Sequence, residues 1–486
     1  MPFPRRLTGH LRAATKALIQ LDHSTFDDFT YAKDGDPTRR GLYVKVEQIL
    51  PQLVDAIRAD LAPQHVHVGY SVLETAVYSA IRDGSSDPVA DVVAGMRAQN
   101  LDAPGFLIYP LYGFGILRPP SVSFLGGMGL MHFVSADVGL AVIAGPRDLP
   151  KLEAAFASIS HSLGVVGTVD PGELRHFAAT HEATSWLLKN PLLIVPIRSI
   201  TMGARENQAA YMGAVGHRVA YLAMCSVLRA PRDTNRTLAR STHGANNFET
   251  LEFSHYFVFE SPGTTGSFLR SDRIPMNLQA SALRQLADAP FDIDPDVWND
   301  PALIDHLAHL ADAFRDLEDL HQGVRTQAPS VRSRANIVRK IRTSLHWYRR
   351  SYASFADERE AVVAMAVAFE ALVSDGYSAG ITNAIIARVR HCIQAQGASS
   401  DLADAVATLF NWRGAVVHRG ETQDEVDLSL ARKAYGYCFC EVVKRTSARS
   451  GSTTLTMLEL FDGVVLTWRD RLWRYLVQLK RALLNS

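Results

Sequence analysis

The chain is short of cysteine, of charge imbalance and of long apolar runs. Four cysteines (Cys225, Cys392, Cys438 and Cys440) stand among 486 residues, none in a Cys-x-x-Cys pair, and one residue separates Cys438 from Cys440. That spacing argues against a zinc knuckle and a disulfide framework, and is read as reduced, buried thiols of an intracellular protein. Lys and Arg total 50, as do Asp and Glu. Neutrality argues against a chain coated in basic residues, although charge can still be segregated into a local site. The most membrane-like stretch, 121–145, carries His132, Asp137 and five glycines. A lipid-spanning helix needs about 20 apolar residues, so this stretch reads as buried strands and turns. Arg5 and Arg6 near the start are followed by no run long enough for a signal-peptide core. The expectation is a soluble, cytoplasmic protein without membrane contact.

Nucleotide and metal signatures are also missing. There is no Walker loop and no GxGxxG, which argues against a nucleotide-driven motor. His65 with His67, and His306 with His309, have pairwise spacings a metal tolerates, but no third ligand is evident. His176 and His181 are wrongly spaced for a helical pair. Neither a metal nor a cofactor is expected.

What is present is an ordinary globular balance, 47% apolar and 21% charged. The pattern predicts an α+β protein: a mixed α/β region over 1–325 of unrecognised fold, with room for two subdomains, then an all-α bundle over 331–447 and an amphipathic helix over 454–486. In the first region, helical periodicity covers Tyr43–Leu61, with Pro51 as a kink or boundary. Short elements follow at 66–78 and 88–99, the second started by Asp87 and Pro88. Aromatic and β-branched residues between glycines and prolines over 105–145 predict short strands. A helix over 150–163, a capped helix from Asp170 to 189, a strand over 191–200, a buried helix over 209–229, a strand over 248–260 and helices over 279–321 complete it.

A charge change marks the boundary near 325. From Arg325 to Arg350 there are eight basic residues and no acidic one. Ile337, Ile341, Leu345 and Tyr348 form one apolar stripe within that run. Asp357 and Glu360 make a capping-box pattern for a helix from 358 to about 374. Further helices are expected over 381–394, 401–412 and 424–444, then a linker over 445–453. A last helix, 455–484, carries Phe461, Trp468, Trp473 and Tyr475.

Within the bundle lies NWRGAVVHRG, residues 411–420, with four residues between Arg413 and His418. The spacing alone is uninformative, since roughly one or two such pairs arise by chance; Arg5 and His10 form another. The context is more specific. A basic aromatic helix (IRTSLHWYRRSYAS), an apolar helix ending in Glu370, Ala371 and Leu372 (AVVAMAVAFEALVSD) and LFNWRGAVVHRG occur in this order. Over about 335–447 the chain resembles the HEPN superfamily, and more closely its Apea-like branch. It departs from that pattern at Gly414, where many ribonuclease members have a polar residue after the arginine, and at Arg419, which displaces the following glycine to Gly420.

The resemblance implies a metal-independent endoribonuclease, a toxin-like effector in prokaryotic defence or stress, that acts on RNA as a homodimer through the bundle. The RNA 2′-hydroxyl attacks the adjacent phosphate and leaves a cyclic phosphate. His418 has the chemistry of a general acid or base, and Arg413 that of a phosphate-charge stabiliser. Glu370, facing them, is a candidate to orient either. On an ideal helix the two side chains diverge by about 140° with a rise of about 7.5 Å. Either Gly414 breaks the helix or the pair works with its copy in a second subunit. The plainer reading is a structural Arg–Glu pair and a satisfied histidine.

Arg339, Lys340, Arg342, Trp347, Arg349 and Arg350 are candidate RNA-binding residues, with His346 beside Trp347 for stacking. A solvated helix face is the bland alternative. Two other readings of the whole chain stay open: a non-catalytic RNA-binding or dimerisation module serving the N-terminal region, which Gly414 favours, and an unrecognised enzyme within 1–325 whose pocket the 105–145 block lines.

Overall fold

The computed structural model describes residues 13, 37–61, 70–98, 104–111, 113–118, 131–135, 138–144, 149–163, 191–198, 204–229, 237–240, 255–260, 268–273, 289–325, 333–353, 357–376, 380–419, 427–449 and 455–461. Contacts divide the chain into two compact units, 1–328 with 352–355, and 329–351 with 356–486. Among the described residues helix predominates and every strand lies in the first unit, which is compatible with the expected α+β class.

From residue 37 the described residues of the first unit form α1 (Pro37–Leu61), α2 (Tyr70–Arg82) and α3 (Pro88–Ala98). Leu53, Val54 and Ile57 of α1, Leu73 and Val77 of α2, and Val92 and Met96 of α3 form their shared core. The helix starts at α3 as its sequence suggests: Asp87 Oδ1 accepts the Ala90 amide at 3.2 Å, satisfying one of the free N–H groups of a helix start. Pro51 sits inside α1 and is not a boundary.

Strands β1 (Pro104–Pro110), β2 (Gly115–Arg118), β3 (Met131–Ser135) and β4 (Leu140–Ala144) follow, then α4 (Leu149–Ser162), β5 (Leu192–Arg198), α5 (Ala204–Ser226), β6 (Thr237–Arg240), β7 (His255–Glu260), β8 (Phe268–Arg273) and β9 (Asp292–Ile293). An antiparallel sheet runs β3-β4-β5-β1-β7-β8, and a smaller one β6-β2-β9. Leu192, Leu193, Ile194 and Val195 are all buried; a run buried on successive residues means that both faces of the sheet are covered at its centre.

The last elements of this unit are a 3₁₀ turn, Pro295–Asn299, and α6 (Ile304–Arg325). Helices expected throughout 279–321 are thus corrected for 289–303. Asp294 accepts the Asp296 amide at 3.0 Å and Pro295 follows it, which favours a tight turn over an α-helix. The helix expected from Asp170 to 189, His65, His67, His176 and His181, and residues 248–254 and 279–288 lie outside the described residues.

Among the described residues the second unit is a helical bundle of α7 (Ala335–Arg350), α8 (Glu358–Val373), α9 (Ile381–Ala395), α10 (Asp401–Arg419) and α11 (Leu428–Ala448), with a short α12 (Met457–Phe461) after it. Ile337, Ile341, Leu345 and Tyr348 are buried, as their spacing predicts. Asp357 caps α8 by accepting the Glu360 amide at 2.8 Å. Tyr435 of α11 joins three helices: its ring stacks on Tyr348 at 4.4 Å and meets Phe369 edge-on at 5.6 Å. Its hydroxyl lies 2.5 Å from Ser344 Oγ, which donates to the Ala368 carbonyl at 2.6 Å.

Two sequence expectations are corrected here. The helix expected to end near Trp412 continues to Arg419, because a glycine in a helix costs only about 1 kcal/mol and the flanking Trp412 and Ala415 are buried. The linker expected over 445–453 is helical through Ala448. Thr446 is buried and donates back to the Val442 carbonyl at 2.7 Å. Of the helix expected over 455–484, Met457–Phe461 is described. All four cysteines are free and buried.

The Tyr435 node makes a measurable prediction. Tyr435→Phe keeps both ring contacts and leaves Ser344 bonded to Ala368, so it costs about 1 kcal/mol or less. Ser344→Ala leaves a buried phenol unpartnered and costs about 1–3 kcal/mol. Urea unfolding of the full chain, followed by circular dichroism, checks the order; the reverse order would mean that the phenol has another partner.

Candidate functional site

Glu370 lies on the last turn of α8 and Arg413 midway along the second half of α10, with 42 residues between them. Packing of the two helices brings Arg413 Nη1 to 3.1 Å from Glu370 Oε1. Each side chain is about 30% accessible (31% and 28%), so the pair sits at the bundle surface. The chain directs it there by burying the neighbours: Phe369 and Leu372 beside Glu370, Trp412 and Ala415 beside Arg413. Arg413 Nε is itself buried and finds no hydrogen-bond partner among the described residues. One guanidinium edge is therefore tethered while another polar atom is left unsatisfied, which is a costly state for a cation.

His418 occupies the last turn of the same helix, and its side chain lies outside the described residues. Because α10 is continuous through Gly414, the five-residue step separates positions 413 and 418 by about 140° around the axis and about 7.5 Å along it. A helix break at Gly414, one of the two routes to convergence, is excluded. Gly414 also makes no close approach: a Cβ added to it meets nothing within 4 Å. Val417, between the two candidates, is 54% exposed.

The six basic or aromatic candidates on α7 behave differently from one another. Arg339 and Arg350 are exposed, and Arg342, Trp347 and Arg349 are half-buried. Lys340 is committed within the fold. Its Nζ donates to the Ser374 carbonyl at 2.5 Å and lies 3.8 Å from Asp375 Oδ1, and burial lowers its pKa against the pull of Asp375. A lysine on the terminal carbonyls of α8 neutralises that end of the helix dipole, so this RNA-contact candidate also serves as a helix cap. Burial lowers the Arg342 pKa as well, and the Arg342 Nε is buried without a hydrogen-bond partner among the described residues. Burial, followed by the charges of Arg349 and Arg350, pushes the His346 imidazole below its usual value. The Arg350 guanidinium lies over the Trp347 ring at 5.0 Å.

A second polar cluster was not anticipated. Asp375 accepts the Met457 and Leu458 amides at 2.7 and 3.0 Å, and so caps α12. Arg445 pairs with Glu441 at 2.6 Å, donates to the Leu460 carbonyl at 3.3 Å and lies over Phe461 at 5.1 Å. Burial raises the Glu441 pKa, but the hydrogen bonds from Arg445 and Gln396 and the nearby positive charges outweigh it and hold the group below the usual value. The i, i+4 spacing of Glu441 and Arg445 was the available signal, masked by the expectation of a linker. No group of three or more metal-ligating side chains is found among the described residues, and no helix among them is long and apolar enough to cross a membrane.

Two stability measurements follow. A double-mutant cycle with Glu370→Gln and Arg413→Gln should give a coupling energy below about 1 kcal/mol at physiological salt, as expected of a partly exposed pair. Gly414→Ala should raise stability by up to about 1 kcal/mol; a lowered melting temperature would show that something packs against that position.

No family model matches the chain, and comparison with curated proteins and with solved structures finds no match.

Proposed function

We propose that the C-terminal unit is a metal-independent endoribonuclease of HEPN type, a cytoplasmic toxin-like effector of defence or stress that works as a homodimer through the bundle. The observation that carries the reading is the Glu370–Arg413 pair at 3.1 Å, which links two of the three sequence blocks on which the resemblance rests. The RNA 2′-oxygen attacks phosphorus while the bond to the 5′-oxygen breaks, leaving a 2′,3′-cyclic phosphate and a 5′-hydroxyl. The 2′-proton is lost and the 5′-oxygen gains one; His418 serves as base or acid at one of these two ends, and solvent water exchanges the proton at the other. Arg413 meets the charge that builds on the phosphoryl oxygens. Glu370 is a positioning residue that holds the guanidinium in place. Convergence of Arg413 with a histidine comes from the second subunit, since the unbroken α10 separates the two within one chain.

That same unbroken helix favours a second reading, in which the bundle is a non-catalytic RNA-binding or dimerisation module for the N-terminal region. Labelled RNA incubated with the full chain and excess chelator separates the two. Cleavage to cyclic-phosphate ends, lost in Arg413→Ala and His418→Ala variants that melt like the wild type, is the expected result. RNA bound by all three proteins but cut by none would overturn the ribonuclease reading in favour of the module.

A further inference from the structure

The exposed half of α7 has a composition that its structural duties do not account for. The buried half is spent on the bundle core, through Ile337, Ile341, Ser344, Leu345 and Tyr348. At 100° per residue, Arg339, His346 and Arg350 fall on the opposite side, with Arg342 and Arg349 on one flank and Trp347 on the other. No acidic residue occurs between 325 and 350. Lys340 is tied to the end of α8, and the proposal concerns Arg339, Arg342 and Arg350. The half-buried Arg342 carries a buried Nε with no partner among the described residues. A partly desolvated guanidinium gains most from an anion that brings acceptor oxygens to it. Farther along the helix, the Arg350 guanidinium lies over the Trp347 ring, 5.0 Å from its centroid.

We infer that this face of α7 is a track for single-stranded RNA, with Arg339, Arg342 and Arg350 on phosphates of one strand and a base stacked on the Trp347–Arg350 pair. The three ingredients are those of sequence-tolerant single-strand binding: a row of cations, an aromatic face and an arginine stack. An anionic membrane is disfavoured because a helix that lies in a bilayer surface must insert its apolar face, and that face is occupied by the core. Double-stranded RNA is disfavoured because its stacked bases cannot reach an indole. The track deepens the proposed function by naming where substrate is held, and it shares with that reading only the identity of the ligand, because its arginines lie on a different helix from Arg413.

The test is fluorescence anisotropy of a fluorescein-labelled 20-nucleotide oligouridylate with the full chain, in chelator, from 50 to 200 mM KCl. The wild type should bind, with log affinity falling linearly against log salt. The double variant Arg339→Ala with Arg350→Ala should make that slope shallower by about 1.4, at about 0.7 per phosphate contact. Trp347→Ala should weaken binding about 5- to 150-fold, the effect of losing one stacked base. Arg390→Ala, which removes a cation from α9, should leave the slope within about 0.3 of wild type.

No binding by the wild type at 50 mM KCl would overturn the proposal. So would a slope unchanged by the double variant, equal competition by duplex RNA, or displacement of the oligonucleotide by phosphatidylserine vesicles. Binding that survives in His418→Ala without any cleavage by the wild type would sink the ribonuclease reading and leave the track standing. Binding lost in His418→Ala but kept in the Arg339 and Arg350 variant would place the RNA elsewhere and sink the track alone.

Discussion

The bundle depends on one constraint, the burial of a phenol. Tyr435 cannot enter an apolar core with its hydroxyl unpaired, and Ser344 is the side chain that meets it, at 2.5 Å. That requirement fixes α7 against α11. The stacking of Tyr348 and the edge of Phe369 on the same ring then fix α8. Burial raises the phenol pKa, so the group stays neutral and hydrogen-bonded at physiological pH. Candidate site residues inherit their positions from this joint. Glu370 is the residue after Phe369, so packing Phe369 onto Tyr435 aims the carboxylate away from the core and toward α10.

The ends of α8 show how the same unit handles backbone polarity. Its N-terminus is capped by Asp357. At its C-terminus the Ser374 carbonyl accepts from Lys340 and the Val373 carbonyl accepts from Arg388 at 2.7 Å. Asp375 then turns the charge pattern around and caps α12. Anions at helix starts and cations at helix ends are what the dipole favours, and here two of the bundle's basic residues are used for that purpose. Arg339, Arg342 and Arg350 of α7 are not among the residues that make these caps.

Local signals in the sequence were legible where a short-range rule applied. The stripe on α7, the Asp357 cap, the Asp87 and Pro88 helix start and the short strands after 104 follow from periodicity, capping and turn chemistry. Gly414 and the 445–453 segment misled for one reason: both contain residues with weak helix preference, and burial of Trp412, Ala415 and Thr446 outweighs a propensity term of about 1 kcal/mol or less. At 289–303 an Asp-Pro turn prevailed over an apparent helical pattern.

By itself, the amino-acid sequence determined that a basic, aromatic helix would sit on an apolar stripe, and that Arg413 and His418 would share one segment. Those are properties of residues a few positions apart. Only the tertiary structure decided that Arg413 meets Glu370 across two helices, that Lys340 is consumed at the end of α8, and that Asp375 captures the start of α12. Each of these joins residues far apart in the chain, and the packing of whole helices, not any local preference, sets the distance between them.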